Sequence, residues 1–522
     1  MTEADRSRIT EKPRITGVRR IRRGLYLLVL LAMLFHLNDF AGDTMGLSSM
    51  TLTLALVDQG TVVIDDYVQR GLEMAWHEGH FYSGMPPGQS FIAVPLYMIA
   101  RPVLVPLSEA LHPRVAHLEY SLGPRFTEAH AVRRVLLLAL YQILIAVPIA
   151  AAAPVMLLDL SRRMLGEHAR LYSLALLMGV GSIWWAYGAG PGPRTMAATA
   201  ILFPLWWLLC RRGRLTDRRA LWGALGCGLG LALAFAIRYE TVIVAVPIAL
   251  FFLLRARRAE AVTLVLGGLL GVGLVLGYHA YCFGNPLTSP YDTKITPLYM
   301  VRTQWETPTD HLEKVIVDGE EFAIYQQKQA LMRPGNIATA LLTTSQSLLW
   351  FTPALLLSVA GIWLLIGRHQ VDRTLVLTIT AALLAGLAVL AVMPHPGFRG
   401  SIGPRYILPS LPYWFLLLGP VWLILPRIAH AGLFALSFIP SYFAAMFTSR
   451  LDAAWDLAPL REFGLSTYVL SRLQEAGVGV TPAISTTICI LWWAIIAVVA
   501  LRLLGTAPEG AAEEDTRQEA DR

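Results

Sequence analysis

Long apolar runs recur along the chain, and short polar connections separate them. A helix needs roughly 20 apolar residues to cross a hydrocarbon layer of about 30 Å, because every backbone amide must be satisfied within its own segment. The runs near 24–37, 134–158, 169–188, 196–210, 220–237, 241–254, 261–282, 347–366, 374–393, 405–425, 428–447 and 486–504 predict about twelve spans. An outer-membrane barrel would instead alternate over segments of about ten residues, and unbroken runs such as 374–393 exclude it. The expected fold class is all-α: a polytopic transmembrane helix bundle with interfacial helices in the first outer loop.

The polar connections carry a second pattern. Loops with Arg162 and Arg163, with Arg211 to Arg219, with Arg255 to Arg258, with Arg368 and Arg373, and with Arg427 alternate with loops poor in basic residues. Cytoplasmic loops concentrate arginine and lysine, so these loops and the basic lead Arg19 to Arg23 face the cytoplasm. The long lead lacks a small-residue cleavage site, which predicts a retained first span. The alternation closes only if 38–133 stays outside. Counting 90–107 as a span would invert every later loop. That run is therefore read as a helix in or dipping into the outer interface, broken by Pro95, Arg101, Pro102 and Pro106, with a full span as the alternative. The layout that follows is a cytoplasmic tail (1–23), an N-terminal transmembrane module (24–283) with outer loop 38–133, and an outer loop (284–346). A C-terminal transmembrane module (347–504) with outer loop 448–485 and a disordered acidic cytoplasmic tail (505–522) complete it. The expected location is the cytoplasmic membrane.

Composition sharpens this picture. With 15% charged and 55% hydrophobic residues and a mean hydropathy of +0.53, the chain is an integral membrane protein. The net charge of +7 resides in orientation signals, which removes nucleic acid as a partner. Cys210, Cys227, Cys282 and Cys489 lie in or beside apolar runs without metal-ligand spacing and read as small buried hydrophobes.

The segment 38–89 holds carboxylates, aromatics, histidines and the corner Pro86-Pro87-Gly88 directly after the first span. It contains GDT at 42–44, then LTLALVDQGTVVIDDY, then HEGHFYSGMPPG. An arginine, Arg133 or Arg134, opens the next span, and a basic turn, SRRMLGEHAR, follows it. Later comes GPRYILPSLPYW. In order and spacing these segments resemble the polytopic, lipid-phosphosugar-dependent glycosyltransferases of the C-type superfold. That group includes protein O-mannosyltransferases, lipid A aminoarabinose transferases and bacterial relatives. The resemblance covers 25–210 best and returns at 278–292 and 397–413. Relatives carry Asp-Glu after the first span; here Asp43 matches the Asp and Thr44 departs from the Glu. Met85 stands where many relatives place lysine.

The resemblance implies sugar transfer from a polyprenyl phosphosugar to an outward-facing glycan, lipid or protein. The leaving phosphate is already acidic and needs no proton, whereas the attacking hydroxyl must lose one, so a single carboxylate suffices for inverting displacement. Glycoside hydrolysis, with its poorer leaving group, needs two. Asp43 is the expected general base, with Asp39 as rival and a purely structural role for both still open. Charge building on the departing phosphate calls for cations. Arg405, Arg238 and Arg194 sit at outer span ends, and an arginine fork grips two phosphate oxygens at once; snorkelling to headgroups is the plainer alternative. Tyr82, His80, Glu240, His395 and Tyr406 are expected near the substrate, and Glu240 could instead pair with Arg238. His77 and His80 flank Glu78 without the spacing of a helix-borne zinc motif. No metal site is assigned; a divalent cation is compatible but not demanded. Two other functions stay open: a transporter or lipid flippase, and a catalytically silent relative. Transporters gather charges at the bilayer midplane and repeat their architecture, whereas here the charges lie at span ends.

Overall fold

The computed structural model of the chain describes residues 3–38, 44–69, 72–116, 128–190, 193–298, 312–317, 319–324, 335–343, 346–368, 371–393, 403–447, 456–475, 477 and 479–504. Helix dominates. The principal helices are α1 (Glu3–Phe35), α2 (Thr44–Leu54), α3 (Gly88–Val115), α4 (Ala129–Leu165), α5 (Arg170–Val180), α6 (Ile183–Ala189), α7 (Arg194–Trp206) and α8 (Asp217–Ile237). They continue as α9 (Thr241–Arg255), α10 (Arg258–Phe283), α11 (Ser358–Gly367), α12 (Arg373–Val392), α13 (Leu411–Ile424), α14 (Arg427–Met446) and α15 (Pro482–Leu504). Among the described residues seven helices are long and apolar enough to cross a membrane, or up to nine if two bent pairs each count as one; α3, over the run 90–107 read from sequence as interfacial, is one of the seven. Two shorter apolar helices, Thr241–Arg255 and Pro482–Val498, accompany them. The twelve predicted runs all fall on helices, and several are shorter or more bent than a full span requires.

The arginine-rich loops gather at one end of the bundle. Arg22 pairs with Asp159 at 2.9 Å, and the Trp206 indole donates to the same carboxylate at 2.8 Å. Arg212 pairs with Glu260 at 2.7 Å, Arg257 with Asp217, and Arg255 with Asp372. Arg170 donates to the Leu423 and Leu425 carbonyls at the end of α13. Since α7 ends at this layer and α8 begins in it, Arg194 and Arg238 lie at the opposite end. Charge sits at the helix ends, as the alternation of loops predicts.

The helices α8 and α10 approach closely because glycines face each other. A Cβ on Gly228 would lie 2.0 Å from the Leu264 carbonyl oxygen, and one on Gly267 would lie 2.6 Å from that of Leu225. Small residues bring membrane helices into this kind of backbone contact.

The segment 44–115 is more ordered than a polar loop. Residues 46–54 of α2 are all buried, and Ser90 donates to the Ser49 carbonyl at 2.8 Å, so α3 runs beside α2. The run 90–107 is not broken: α3 is continuous through Pro95, Pro102, Pro106 and Pro113. All four prolines lie on its exposed side, so the backbone bonds they remove fall where water or headgroups can satisfy the freed carbonyls. The far end of α3 still contacts the first turns of α4, where Arg133 donates to Ser108 at 3.3 Å. Those turns project past Gln142, which donates to the Gly188 carbonyl at the end of α6 at 3.2 Å. Thus α3 packs on the projecting part of α4, away from the arginine-rich end.

Two small sheets interrupt the all-helical pattern. Met74–His77 (β1) pairs antiparallel with His80–Ser83 (β2), in a register of Met74 with Ser83 and His77 with His80. Ile295–Pro297 (β3), Lys314–Val317 (β4) and Glu320–Ile324 (β5) form a sheet in the order β3-β5-β4. The predicted tail 505–522 lies outside the described residues.

Candidate active site

Two segments separated by five residues in the chain meet the same end of the bundle. Asn38, after α1, donates its backbone N–H to the Ala189 carbonyl at 3.3 Å. Met45, in the first turn of α2, brings its sulfur within 2.9 Å of Arg238 Nη2 and 3.9 Å of Arg194 Nη2. The intervening 39–43, with both predicted bases Asp39 and Asp43, lies outside the described residues, as does His395.

The three predicted arginines converge. Arg194 opens α7 and Arg238 closes α8, and both are buried. Arg405 begins a short 3-10 turn, residues Arg405–Ser410, leading into α13. The Tyr406 ring lies 5.8 Å from the Arg194 Cζ and 5.5 Å from the Arg405 Cζ. Arg238 donates to the Tyr291 hydroxyl at 3.1 Å. Among the described residues, the Nε atoms of Arg194, Arg238 and Arg405 are buried without a hydrogen-bond acceptor. Unsatisfied buried donors are costly, and three of them on clustered cations form a setting that an anion would relieve. Glu240 makes no ion pair with Arg238 among the described residues. It acts on Arg238 as a nearby charge, and the Arg238 guanidinium contacts Tyr291 and Met45 instead.

A fourth cation arrives from a loop whose sequence reads only as turn-rich. Lys294 forms an ion pair with Glu73. Its backbone bridges Ala75 of β1, and the Trp76 N–H donates to the Thr293 carbonyl at 2.9 Å. Desolvation by the surrounding fold, although the side chain stays partly exposed, and the charge of Arg405 push the Lys294 ammonium down to about 8. Tyr291, three residues earlier, is the hydroxyl on Arg238. Tyr291 falls in the segment 278–292 where the resemblance returns, whereas Lys294 does not stand out in the sequence, because a loop's partner depends on how it folds back rather than on local spacing.

The Pro86-Pro87-Gly88 corner sits beside this cluster. Pro87 precedes α3, and a Cβ on Gly88 would lie 2.6 Å from the Ala236 backbone, two residues before Arg238. Only glycine lets the start of α3 press on the end of α8. Met85 is buried, and its N–H points to the Ser83 hydroxyl, 3.4 Å away, which itself contacts Ser48 at 2.9 Å.

The other predicted contacts fall elsewhere. His77, Glu78, Gly79 and His80 make a hairpin turn, with positive φ at Glu78 (49°) and Gly79 (89°), as a two-residue turn of the mirror-image type requires. The spacing of the two histidines is therefore that of a turn. His80 is exposed and bonded to Asp65 at 2.7 Å, and the Phe81 N–H donates to the other oxygen of Asp65 at 2.7 Å. No group of three or more metal-ligating side chains occurs among the described residues. Tyr82 is buried against Phe283, with ring centroids 5.4 Å apart, in a small apolar cluster with Tyr278 and Cys282. Burial raises the pKa of its hydroxyl. It shares no hydrogen bond with the arginines among the described residues. Tyr406, by contrast, lies within the cluster.

No protein-family model matches the chain, and no curated protein matches it. Among solved structures, two crystal structures of ArnT from Cupriavidus metallidurans align with it, one bound to undecaprenyl phosphate and one in the apo state. Each shows 13% sequence identity and a TM-score of 0.43. The alignments cover 94% of this chain, with 78% of the first structure's chain and 75% of the second's.

Proposed function

We propose that the chain is a membrane glycosyltransferase that takes a sugar from a polyprenyl phosphate donor and passes it to an acceptor hydroxyl on the outer face of the cytoplasmic membrane. The observation that carries the reading is the convergence of Arg194, Arg238 and Arg405, with three buried donors left open, at the end opposite the arginine-rich loops. A phosphate headgroup held there would have its prenyl chain in the adjoining lipid. Its developing negative charge would meet preorganised donors in a poorly hydrated site, where such contacts contribute most to rate. Arg238 and Arg405 are assigned to the phosphate, with Arg194 as the third cation, and Tyr406 to the wall between them.

Asp43 is assigned as general base, taking the proton from the acceptor hydroxyl as its oxygen attacks the anomeric carbon and the phosphate departs on the opposite face, with inversion. Support comes from its flanks: Asn38 abuts Ala189 and Met45 abuts two of the arginines. Consecutive Cα atoms are about 3.8 Å apart, which ties residue 43 closely to Met45. Asp39 is the second choice on the same ground. Transport is the less favoured reading, because the charged groups gather at the ends of the helices. The test incubates purified protein with a panel of polyprenyl phosphosugars and a panel of acceptors and follows release of polyprenyl phosphate. Release with one donor class supports transfer; none with any donor, alongside vectorial movement of a solute or lipid in liposomes, would overturn it.

A further inference from the structure

Lys294 is a further cation at this end, outside the arginine cluster. Its loop is stitched to the hairpin β1–β2 by the Ala75 bridge and by the Trp76 N–H to the Thr293 carbonyl. The ladder of the hairpin extends one pair beyond its strands, since the Gly84 N–H donates to the Glu73 carbonyl at 2.8 Å. A Cβ on Gly84 would lie 2.7 Å from the Glu73 backbone, so the two strands of chain are in direct contact. Lys294 and Glu73 therefore close a seam between the hairpin and the loop that carries Tyr291 to Arg238. Both side chains are only partly buried, and Arg405 acts on Lys294 as a like charge.

Resting on the donor-site reading, we infer that Lys294 exchanges its partner on donor binding, leaving the Glu73 carboxylate to join the headgroup phosphate that Arg405 faces. The groups bearing on the ammonium are Glu73 from the hairpin approach and Arg405 from the turn before α13; Asp292, two residues earlier in its own loop, accepts from the Ser289 N–H and hydroxyl instead. With no anion in place, Glu73 supplies the counter-charge that holds the seam shut against repulsion from Arg405. A phosphate carrying up to two negative charges competes for the same ammonium and has the arginines as further partners. The exchange makes Lys294 a phosphate-binding residue and Glu73 its counter-ion in the empty site. It also gives donor affinity a pH dependence that arginines alone cannot supply, because guanidinium groups stay charged across the accessible range. The ammonium, held near 8 in the empty protein, loses its proton as pH rises through that value, and its contact to the phosphate is lost with it.

The experiment measures binding of farnesyl phosphate to the full-length protein in detergent from pH 6.5 to 10, for wild type, Lys294→Met, Lys294→Arg, Glu73→Gln and Arg405→Met. Wild-type affinity is expected to fall about tenfold across a break near or somewhat above pH 8, the loss expected for one charge-assisted contact of roughly 1.4 kcal/mol. Lys294→Met should show the weak affinity at every pH and no break. Lys294→Arg should keep the strong affinity and move the break out of range. Glu73→Gln should move the break to lower pH, since the carboxylate that favours the charged ammonium is gone. A break that persists in Lys294→Met, or wild-type affinity in that variant while Arg405→Met binds weakly, would overturn the exchange and leave the arginine site standing. Equal affinity of wild type and Arg405→Met would overturn the donor-site reading and the exchange together.

Discussion

Arg194 separates anion binding from folding more cleanly than any other residue of the cluster. Its contacts are the Met45 sulfur at 3.9 Å and the face of Tyr406 at 5.8 Å, and no carboxylate pairs with it among the described residues. Two cations press on it. Arg238 reaches the same sulfur at 2.9 Å, which bounds the separation of the two Nη2 atoms at about 7 Å. Arg405 faces the same tyrosine ring, which bounds the two Cζ atoms at about 11 Å. With an effective dielectric constant of about 20, unit charges at those separations repel by roughly 2.4 and 1.5 kcal/mol. Desolvation of a guanidinium without a counter-ion adds to the cost. Arg194→Met keeps most of the aliphatic stem and removes the charge, so it should relieve roughly 2–4 kcal/mol of strain in the empty protein. The expected outcome is a Tm in detergent higher by a few degrees, together with a loss of polyprenyl phosphate release of about 10²–10³-fold, as for removal of one preorganised donor to developing charge. Differential scanning fluorimetry and a turnover assay on the same preparation read both. A lowered Tm accompanying the loss would mean that the arginine is structural, and an unchanged turnover would remove it from the donor site.

Other outcomes follow from the same geometry. Asp43→Asn should retain the Tm of wild type and lose about 10²–10⁴-fold in turnover; equal turnover would pass the role to Asp39, to be checked by Asp39→Asn. Gly88→Val would drive a side chain into the Ala236 backbone, 2.6 Å from where a Cβ would stand. It should destabilise the protein by several kcal/mol, seen as a lowered Tm and lost monodispersity in size exclusion. His77→Ala combined with His80→Ala removes the half-buried ring beside Phe283 and the exposed partner of Asp65, and should keep turnover within about twofold; a larger loss, reversed by added divalent metal, would show that the hairpin holds an ion.

Much of the helical layout is legible in the sequence because it is set by one-dimensional quantities: the length of apolar runs and the side on which arginine accumulates. The alternation of Arg162, Arg212, Arg255 and Arg427 with poorly basic loops implies two ends, and the pairs Arg212–Glu260 and Arg255–Asp372 gather them as it implies. Arg194, Arg238 and Arg405 are legible as a group for the same reason, each standing at a span end away from those loops. The buried helix α2 is less visible, since serines and threonines interrupt its apolar face and their hydroxyls are satisfied within the fold, as Thr51 and Thr53 are by carbonyls one turn back. The continuity of α3 is hidden by its prolines, whose shared exposed face becomes apparent only once the helix has a neighbour. His77 and His80 lack a helix-borne ligand spacing in the sequence, and the positive φ of Glu78 and Gly79 shows that their separation is that of a hairpin turn. Lys294, Tyr291 and Glu73 reach the cluster through contacts between loops far apart in the chain, which no local pattern encodes.

The most direct measurement is a structure of the protein with a polyprenyl phosphate bound, by electron cryomicroscopy in nanodiscs. The account predicts the headgroup phosphorus among Arg194, Arg238 and Arg405, with phosphate oxygens within hydrogen-bond reach of their open Nε or Nη donors and the prenyl chain leaving toward lipid. A headgroup bound at the arginine-rich end of the bundle, or one at the same end but out of reach of all three guanidinium groups, would contradict it.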